Sequence, residues 1–330
     1  MGLQAARNVC SGTLWATLRL VVVDARSGID GIEQAVLELE PGGELVGISE
    51  LTGGVSADVF GLEIATVAGG RRRVVYRRHR SPGFKQQQQS ITAKEYGLLA
   101  ALHREGLAVP EPFLHNDTDA PNGPYMIIEW IDGSTNIGEG DLPGALEQMA
   151  QFLVGLHSLG PLSPQLPELE PIEDPLTAIG PHLPPTGSGD QVRASLASGA
   201  LAYHPNRSVL LHGDYWPGNV MWRDGRLVAV IDWEDACFGD PMADLATARV
   251  ELLCQYGADA MAQFTTSYLA LTRDTVSPLR LDSLLTWELY VSASALSTMG
   301  DWGLPPDDEA RRRQLTQGFF NRAARELTSP

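Results

Sequence analysis

One stretch of the sequence, residues 209–246, limits more than any other what this chain can fold into and do. It begins with a short apolar run, VLLH, which predicts a strand that delivers Asp214 into a loop. A Pro-Gly pair inside the loop favours a tight turn that brings Asn219 back toward this aspartate. After a second turn, the run RLVAVIDW predicts another strand, which delivers Asp232. We therefore expect three oxygen-bearing side chains to converge at the ends of neighbouring strands.

These three side chains match the requirements of phosphoryl transfer. Asparagine and aspartate oxygens suit Mg²⁺, which takes few ligands from the protein and the rest from phosphates and water, so Asn219 and Asp232 are candidate metal ligands. Asp214 remains as the candidate catalytic residue that orients and deprotonates a substrate hydroxyl. Protein kinases carry the related loops H-R-D-x-x-x-x-N and D-F-G. Here they read H-G-D-x-x-x-x-N and I-D-W-E.

Three motifs together resemble the aminoglycoside phosphotransferase/choline kinase family of kinase-like enzymes that phosphorylate small molecules. They are H-G-D-x-x-x-x-N at His212–Asn219, I-D-W at Ile231–Trp233 and G-D-P-x-x-D-L at Gly239–Leu245. The resemblance covers roughly residues 48–250. It implies a protein-kinase-like two-lobed α+β fold, with a small β-rich N-lobe and a larger, mainly helical C-lobe.

The chain divides into three parts on this reading: an N-terminal extension of unknown role at 1–44, a nucleotide-binding N-lobe at 45–132, and a catalytic and substrate-binding C-lobe at 133–330. The expected elements are helices at 31–40, 91–106 and 144–159, two strand-like runs around a Gly-rich turn within 48–67, further strand-like runs at 71–80 and 125–131, and a loop at 81–90. Residues 161–186 carry eight prolines and cannot form a long helix. They predict either an ordered insertion of loop and short helices or a plain solvated connector.

Two segments of the N-lobe are candidates for holding a nucleotide. Gly53, Gly54 and Ser56 lie in a turn between strand-like runs, where backbone amides can approach phosphates because no Cβ intervenes. Residues 126–131 resemble the hinge between kinase lobes, which gives Glu129 and Ile131 as the positions whose backbone would bond the base. The resemblance implies ATP, while side-chain identity does not decide between ATP and GTP.

The family resemblance also implies a cation on an N-lobe strand, paired with a carboxylate on the following helix. The family usually has lysine there, whereas this chain has Arg77, with Glu95 as the matching carboxylate. Arginine holds phosphate oxygens bidentately and keeps its charge, so the replacement is chemically reasonable. Lys85 is the alternative cation. The competing interpretation makes Arg77 one more solvated charge in the run 71–80.

Several polar and aromatic residues near these motifs are expected to have structural roles. Asp240, which precedes a proline, is typical of a helix N-cap, and Asp244 is given a structural role as well. His212 is expected to support its loop, as the resemblance implies, and His157 to be a satisfied core histidine. The tryptophans expected to pack are Trp216, Trp222 and Trp233.

The composition limits the kinds of molecule that the protein is expected to bind. With 24 basic against 41 acidic residues, the formal net charge is -17, which disfavours unaided binding to nucleic acid. The same charge suits a cationic small molecule, or an anion that arrives with metal ions. No stretch approaches the roughly 18 apolar residues of a membrane span. Three cysteines are too few for a disulfide framework, so we expect reduced thiols in a cytoplasmic protein.

The sequence thus predicts an ATP-dependent phosphotransferase that moves the γ-phosphoryl group to a hydroxyl of a small molecule with Mg²⁺. The alternative is a catalytically silent nucleotide-binding or regulatory protein of the same fold, which the arginine at position 77 favours and the intact Asp214, Asn219 and Asp232 disfavour. A phosphatase is disfavoured because the sequence lacks a nucleophile motif. The acceptor stays open among aminoglycosides, macrolides, choline, homoserine and sugars, and so does the oligomeric state.

Overall fold

The structure is a computed structural model with two lobes and a cavity between them, which confirms the expected α+β fold class. Each lobe has its own hydrophobic core. The residues that the structure describes are 26–51, 57–79, 85–117, 123–137, 141–160, 166–273 and 279–329.

The N-lobe is built on a five-stranded antiparallel sheet with the strand order β1-β2-β3-β5-β4. β4 was not predicted from the sequence; its short run of five residues lacks a clear apolar alternation. The strands are β1 (Glu44–Glu50), β2 (Ala57–Ala65), β3 (Arg71–His79), β4 (Pro112–Asn116) and β5 (Tyr125–Glu129).

Alternation along the strands gives the sheet two different faces. On β3, Val74 and Tyr76 belong to the core on one face, while Val75 and Arg77 line the cavity on the other. Helix α1 (Arg26–Leu39) covers the first face. This helix falls within the segment 1–44, whose role was left open by the sequence analysis.

Helix α1 packs against the sheet because its apolar residues recur at helical spacing and so share one face. Ile32, Ala35, Val36 and Leu39 occupy positions i, i+3, i+4 and i+7, and they contact the apolar face of the sheet. Leu37, on the opposite side, is 47% exposed. The described part of the extension therefore contributes to the N-lobe core, while the domain boundaries themselves stay predictions.

Helix α2 (Lys85–Arg104) follows β3 and packs against β4. The expected loop at 81–90 is wrong for its second half, because the helix already begins at Lys85. Glutamine is a good helix former, so the glutamine run extends the helix backward. Leu98, Leu99 and Leu102 are buried and join α2 to the larger core of the C-lobe.

The C-lobe is mainly helical. Helix α3 packs against α7, α6 against α7 and α8, and α9 against α5 and α8. Large buried aromatic side chains, among them Phe264, Trp287 and Phe320, fill the space between these helices. The helices are α3 (Leu142–His157), α4 (Pro175–Ala178), α5 (Ser188–Ala197), α6 (Met242–Tyr256), α7 (Ala258–Thr272), α8 (Asp282–Thr298) and α9 (Pro306–Thr328).

Two small antiparallel sheets carry the loops with the sequence motifs. β6 (Val209–Leu211) pairs with β9 (Cys237–Gly239), and β7 (Val220–Arg223) forms a hairpin with β8 (Arg226–Val230). The hairpin turn lies where it was predicted, with left-handed backbone at two successive residues, Asp224 and Gly225. β7 and β9 were not predicted from the sequence.

The proline-rich segment is an ordered insertion rather than a solvated connector in its described part, residues 166–186. It contains α4 and a 3₁₀ turn, Gly180–His182, both of which contact α8. Ile179 and Leu183 are buried in the C-lobe core. None of the described helices is long and apolar enough to cross a membrane.

The docking of α1 on the sheet can be tested with one buried and one exposed aliphatic residue of the same helix. Ile32→Ala removes a side chain that is 5% exposed, and we expect it to lower the free energy of unfolding by about 2–5 kcal/mol. Leu37→Ala is the matched control and should change it by less than about 0.5 kcal/mol. Urea unfolding measures both. Equal, small effects would show that α1 does not pack on the sheet in solution.

Candidate active site

The loop after β6 has a backbone shape that only glycine accommodates at one position. Gly213 has φ +87°, and a Cβ there would collide with the carbonyl oxygen of Asp235. The backbone amides of His212 and Gly213 donate to the two carboxylate oxygens of Asp244, at 2.8 and 2.9 Å. The loop after β6 is therefore held by the loop after β8 and by the first turn of α6.

His212 links the same two loops through its ring. Its Nε2 lies 3.0 Å from the carbonyl oxygen of Ile231, and the backbone amide of Asp214 donates to Nδ1 over 3.2 Å. A neutral imidazole with its proton on Nε2 satisfies both bonds. Burial lowers the pKa of His212, against the opposing charge of Asp244, so the neutral form is favoured. These contacts fit the supporting role expected of His212.

Two further polar groups stabilise the region behind the loop. The ring nitrogens of buried His157 lie 2.8 Å from the Tyr268 hydroxyl and 3.2 Å from Asp244 Oδ2, so this histidine has the satisfied core environment expected for it. Asp240 accepts a hydrogen bond from the backbone amide of Met242 at the start of α6, as a capping residue does.

Asp214 is buried at the end of this loop. Its Oδ2 accepts hydrogen bonds from Asn219 Nδ2 at 3.1 Å and from Trp216 Nε1 at 3.2 Å. Burial raises the pKa of Asp214 well above its ordinary value, and the charges of Asp232 and Glu251 raise it further, while the two hydrogen bonds oppose the rise. A carboxylate in these surroundings binds a proton more readily than one in water.

Asn219 and Asp232 fit a divalent cation. Asn219 Nδ2 also donates to the backbone oxygen of Asp214, which leaves Oδ1 buried and without a hydrogen-bond partner among the described residues. Asp232 follows Ile231, whose amide donates to the Asn219 carbonyl at 2.9 Å. Its φ of +68° is rare for a residue with a side chain and marks a constrained position.

An unsatisfied amide oxygen and a carboxylate, on segments joined by this backbone bond, are donor types that Mg²⁺ accepts. Within the described ranges, no group of three or more histidine, cysteine, aspartate or glutamate side chains forms a metal site. A cation held by Asn219 and Asp232 would therefore take its remaining ligands from phosphate oxygens and water.

The side chain of Arg77, on β3 of the N-lobe sheet, reaches carboxylates of the C-lobe. Its Nη1 donates to Glu95 at 2.8 Å, and its Nη2 donates to Asp232 at 2.8 Å and to Glu234 at 2.7 Å. Burial alone would lower the pKa of the guanidinium, but the three carboxylates raise it. Nε is buried and has no hydrogen-bond partner among the described residues. The alternative of a solvated charge in the run 71–80 is wrong for this residue, which is 8% exposed.

Two members of this cluster were missed in the sequence. The ring nitrogens of His79 lie 3.3 Å from Glu95 Oε2 and 3.5 Å from Glu234 Oε2. The spacing on β3 could have indicated His79, because it lies two residues after Arg77 and so on the same face of the sheet. Burial and the charge of Asp232 raise the pKa of Glu234, although Arg77 and His79 oppose the rise. No pattern in the sequence marks Glu234 as a partner of Arg77.

A cavity of about 370 Å³ lies between the lobes, within the size range of small-molecule sites. Apolar side chains of both lobes, such as Val75 and Ile231, line it. Ile131, from the segment after β5, also lines it. The charged residues of the lining are Arg77, Glu95, Glu129 and Asp232.

The structure brings together most of the predicted site residues. Arg77, Glu95 and Asp232 form one hydrogen-bonded cluster. Asp214 and Asn219 are bonded to each other, and a backbone bond from Ile231 to Asn219 joins their loop to the segment with Asp232. Glu129 and Ile131 line the cavity beside it. The phosphate-loop candidates Gly53, Gly54 and Ser56 lie outside the described residues, and so does the side chain of Lys85; their roles stay predictions.

Two curated proteins match part of the chain. Over 164 residues the chain is 32% identical to viomycin phosphotransferase from Streptomyces vinaceus. The aligned region covers 43% of this chain and 55% of that protein. Over 142 residues the chain is 30% identical to hygromycin-B 4-O-kinase from Escherichia coli. The aligned region covers 37% of this chain and 42% of that protein. The chain thus spans about half the length of the curated relatives it matches.

The fold is similar to that of solved kinases of small molecules. Amicoumacin kinase hAmiN, crystallised with AMP-PNP, Ca²⁺ and Ami, superimposes with a TM-score of 0.62 over 89% of this chain and 93% of that one. The sequence identity is 14%, so this likeness concerns the fold alone.

The sequence profile of the Phosphotransferase enzyme family (APH) matches residues 47–279, which is more than half of the chain. The matched region contains every predicted site residue, from Gly53 to Asp232. The resemblance drawn from the three motifs is confirmed: the chain belongs to the phosphotransferase enzyme family.

Proposed function

We propose that this protein transfers the γ-phosphoryl group of ATP to a hydroxyl group of a small molecule, with Mg²⁺ bound. One observation carries the proposal. Arg77, held by Glu95, bonds Asp232 at the lining of the cavity between the lobes. The loop with Asp232 is joined through the Ile231 amide to Asn219, which in turn bonds Asp214. A base, two oxygen ligands for a cation and a fixed positive charge are the parts that phosphoryl transfer needs.

The nucleotide is assigned to the cavity. Its apolar walls suit a purine base, and the backbone of Glu129 and Ile131 would supply hydrogen bonds to the base edge. Arg77 lines the cavity, and its guanidinium would supply positive charge to the phosphate oxygens. The hAmiN structure, which holds AMP-PNP, gives further support through its similar fold.

Mg²⁺ would be held by Asn219 Oδ1 and the Asp232 carboxylate, and it would neutralise charge on the phosphates during transfer. Arg77 bonds Asp232 on one oxygen, so this residue keeps the carboxylate oriented between the two lobes. The Ca²⁺ ion in the hAmiN structure fits a divalent-cation requirement in this fold.

Asp214 acts on the acceptor. The hydroxyl of the small molecule donates to the carboxylate of Asp214, which orients its oxygen toward the γ-phosphorus and receives its proton as the new O–P bond forms. The bond from the γ-phosphorus to the oxygen bridging it to the β-phosphate breaks, and ADP leaves with that electron pair. The raised proton affinity of buried Asp214 favours this proton transfer.

The acceptor is assigned to the class of hydroxyl-bearing antibiotics of the aminoglycoside type, or a metabolite with the same group. The names of the two curated relatives, which refer to viomycin and hygromycin B, support the antibiotic. The net charge of -17 is compatible with a cationic acceptor. Cytoplasmic location and the absence of nucleic-acid partners stay predictions from composition.

A second candidate, a nucleotide-binding protein without turnover, is favoured by one contact. Arg77 bonds Asp232 and Glu234 as well as Glu95, so the guanidinium that would contact phosphates also engages a proposed metal ligand. In that case the nucleotide would raise thermal stability with no acceptor phosphorylated.

Replacing the proposed base tests the reaction. Asp214→Asn keeps an oxygen for the hydrogen bonds from Trp216 and Asn219 but removes the proton acceptor. We expect kcat to fall by about 10²- to 10⁴-fold, with the Kd of ATP changed by less than about threefold. A coupled ADP-release assay with Mg²⁺ and a panel of aminoglycosides, macrolides, choline, homoserine and sugars measures the rate, and calorimetry measures ATP binding.

The panel separates the two candidate functions. Turnover on one acceptor that disappears in Asp214→Asn supports the phosphotransferase. ATP binding to the wild-type protein without turnover on any acceptor supports the silent binding protein. Turnover that survives the substitution would remove Asp214 from the reaction.

Arg77 has a matched control in its neighbour Arg78, which pairs with Asp58 instead of the cavity carboxylates. Arg77→Met should lower kcat/KM for ATP by about 10- to 100-fold, because it removes a charged hydrogen-bond donor to the phosphates. Arg77→Lys should lower kcat/KM by a smaller factor, because its ammonium keeps the positive charge but lacks the forked geometry of the guanidinium. Arg78→Met should leave kcat/KM within about twofold. Equal losses at both positions would assign the effect to surface charge.

A further inference from the structure

Trp216, expected to be a packing residue, makes a polar contact in the site. Its indole Nε1 donates to Oδ2 of Asp214 at 3.2 Å, two residues earlier in the chain. The backbone carbonyl of Trp216 accepts from the amide of Asn219 at 3.0 Å, which closes the turn that carries Asn219. One residue therefore contacts the candidate base through its side chain and positions the candidate metal ligand through its backbone.

The position of the indole ring depends on a glycine. A Cβ at Gly218 would collide with three ring atoms of Trp216, Cζ2, Cζ3 and Cη2. Gly218 does not have a left-handed φ, so the backbone there accepts any residue. The glycine at this position is thus required by the Trp216 ring lying on it. This makes the direction of the indole N–H a property of the turn.

The contacts of Asp214 distinguish its two oxygens. Trp216 Nε1 and Asn219 Nδ2 both donate to Oδ2, and among the described residues no donor reaches Oδ1. Two donors on one oxygen fix the rotation of the carboxylate about its Cβ–Cγ bond, because any rotation lengthens at least one bond. The other oxygen then points in a defined direction.

We propose that Trp216 is a positioning residue, which together with Asn219 holds Oδ2 of Asp214 so that Oδ1 receives the proton of the acceptor hydroxyl. This inference rests on the proposed function and adds a residue to it. Trp216 does not touch the reacting atoms; it acts through Asp214. Its loss should misdirect the base and lower kcat, while binding of ATP and acceptor is kept.

The chain contains a tryptophan suited as a control. Trp222 is buried like Trp216, but its Nε1 has no hydrogen-bond partner among the described residues. Substituting phenylalanine at either position removes an indole N–H and part of a ring. Only at position 216 does it remove a donor to Asp214.

The experiment compares Trp216→Phe and Trp222→Phe in the assay with ATP, Mg²⁺ and the panel acceptor of highest turnover. We expect Trp216→Phe to lower kcat by about 10-fold or more, as for loss of a hydrogen bond to a charged group, with both KM values within about threefold. Trp222→Phe should keep kcat within about twofold. Equal losses in the two variants would show that ring packing is responsible and would overturn the proposal.

Gly218→Ala provides a second route to the same result. It should displace the indole and lower kcat as Trp216→Phe does, and the double variant Gly218→Ala/Trp216→Phe should be no slower than Trp216→Phe alone. Additive losses would overturn the proposal, because they would mean that Gly218 acts independently of Trp216.

A variant that keeps the ring covers the case in which Trp216→Phe does not fold. Benzothienylalanine at position 216 preserves the bicyclic shape and replaces the N–H by sulfur. The same fall in kcat supports the hydrogen bond, and wild-type kcat overturns it. An inactive wild-type protein, in contrast, would overturn the proposed function and this role together, whereas an active wild type with an equally active Trp216→Phe would overturn the role alone.

Discussion

The arrangement of the site depends on one buried guanidinium. A charge removed from water is costly unless opposite charges and hydrogen bonds replace the water. Arg77 meets this condition with Glu95 from the N-lobe and with Asp232 and Glu234 from the loop after β8. Because these partners come from both lobes, the ion pairs set the position of the sheet over the C-lobe. Carboxylates still outnumber the cations in this cluster, which is the imbalance that a bound divalent ion would correct.

The loop that carries Asp214 depends on contacts with neighbouring elements as well as on its own sequence. Gly213 permits the left-handed turn, but the turn is held because Asp244 accepts hydrogen bonds from two successive amides. Asp244 in turn is anchored by the first turn of α6 and contacts His157 from α3. The third motif, G-D-P-x-x-D-L, thus stabilises the first, and the spacing between them in the sequence reflects this packing.

The sequence predicted the parts of the site that depend on local geometry. Asp214 and Asn219 are joined by a five-residue turn, and Asp232 ends a strand beside it, so their convergence follows from short-range rules. The bonds from Arg77 to Asp232 and Glu234 span 155 and 157 residues, and no local pattern encodes them. The polar contact of Trp216 was missed for the same reason. The sequence can indicate that a large apolar ring will be buried. The direction of its N–H depends on the neighbouring glycine and is set only in the folded turn.

The arginine at position 77 is best explained by the carboxylates around it. A lysine has one ammonium group at the end of a flexible stem, whereas the guanidinium presents separate nitrogens in a rigid plane. Here Nη1 donates a hydrogen bond to Glu95 and Nη2 donates to two C-lobe carboxylates, while Nε has no hydrogen-bond partner among the described residues. An ammonium also has three N–H donors, but they lie on one nitrogen, whereas these bonds leave from two nitrogens of the guanidinium plane. Glu234 is the additional acceptor that the larger cation reaches, and His79 lies beside Glu95 and Glu234. The departure from lysine therefore keeps a cation at this position and changes how the two lobes are joined.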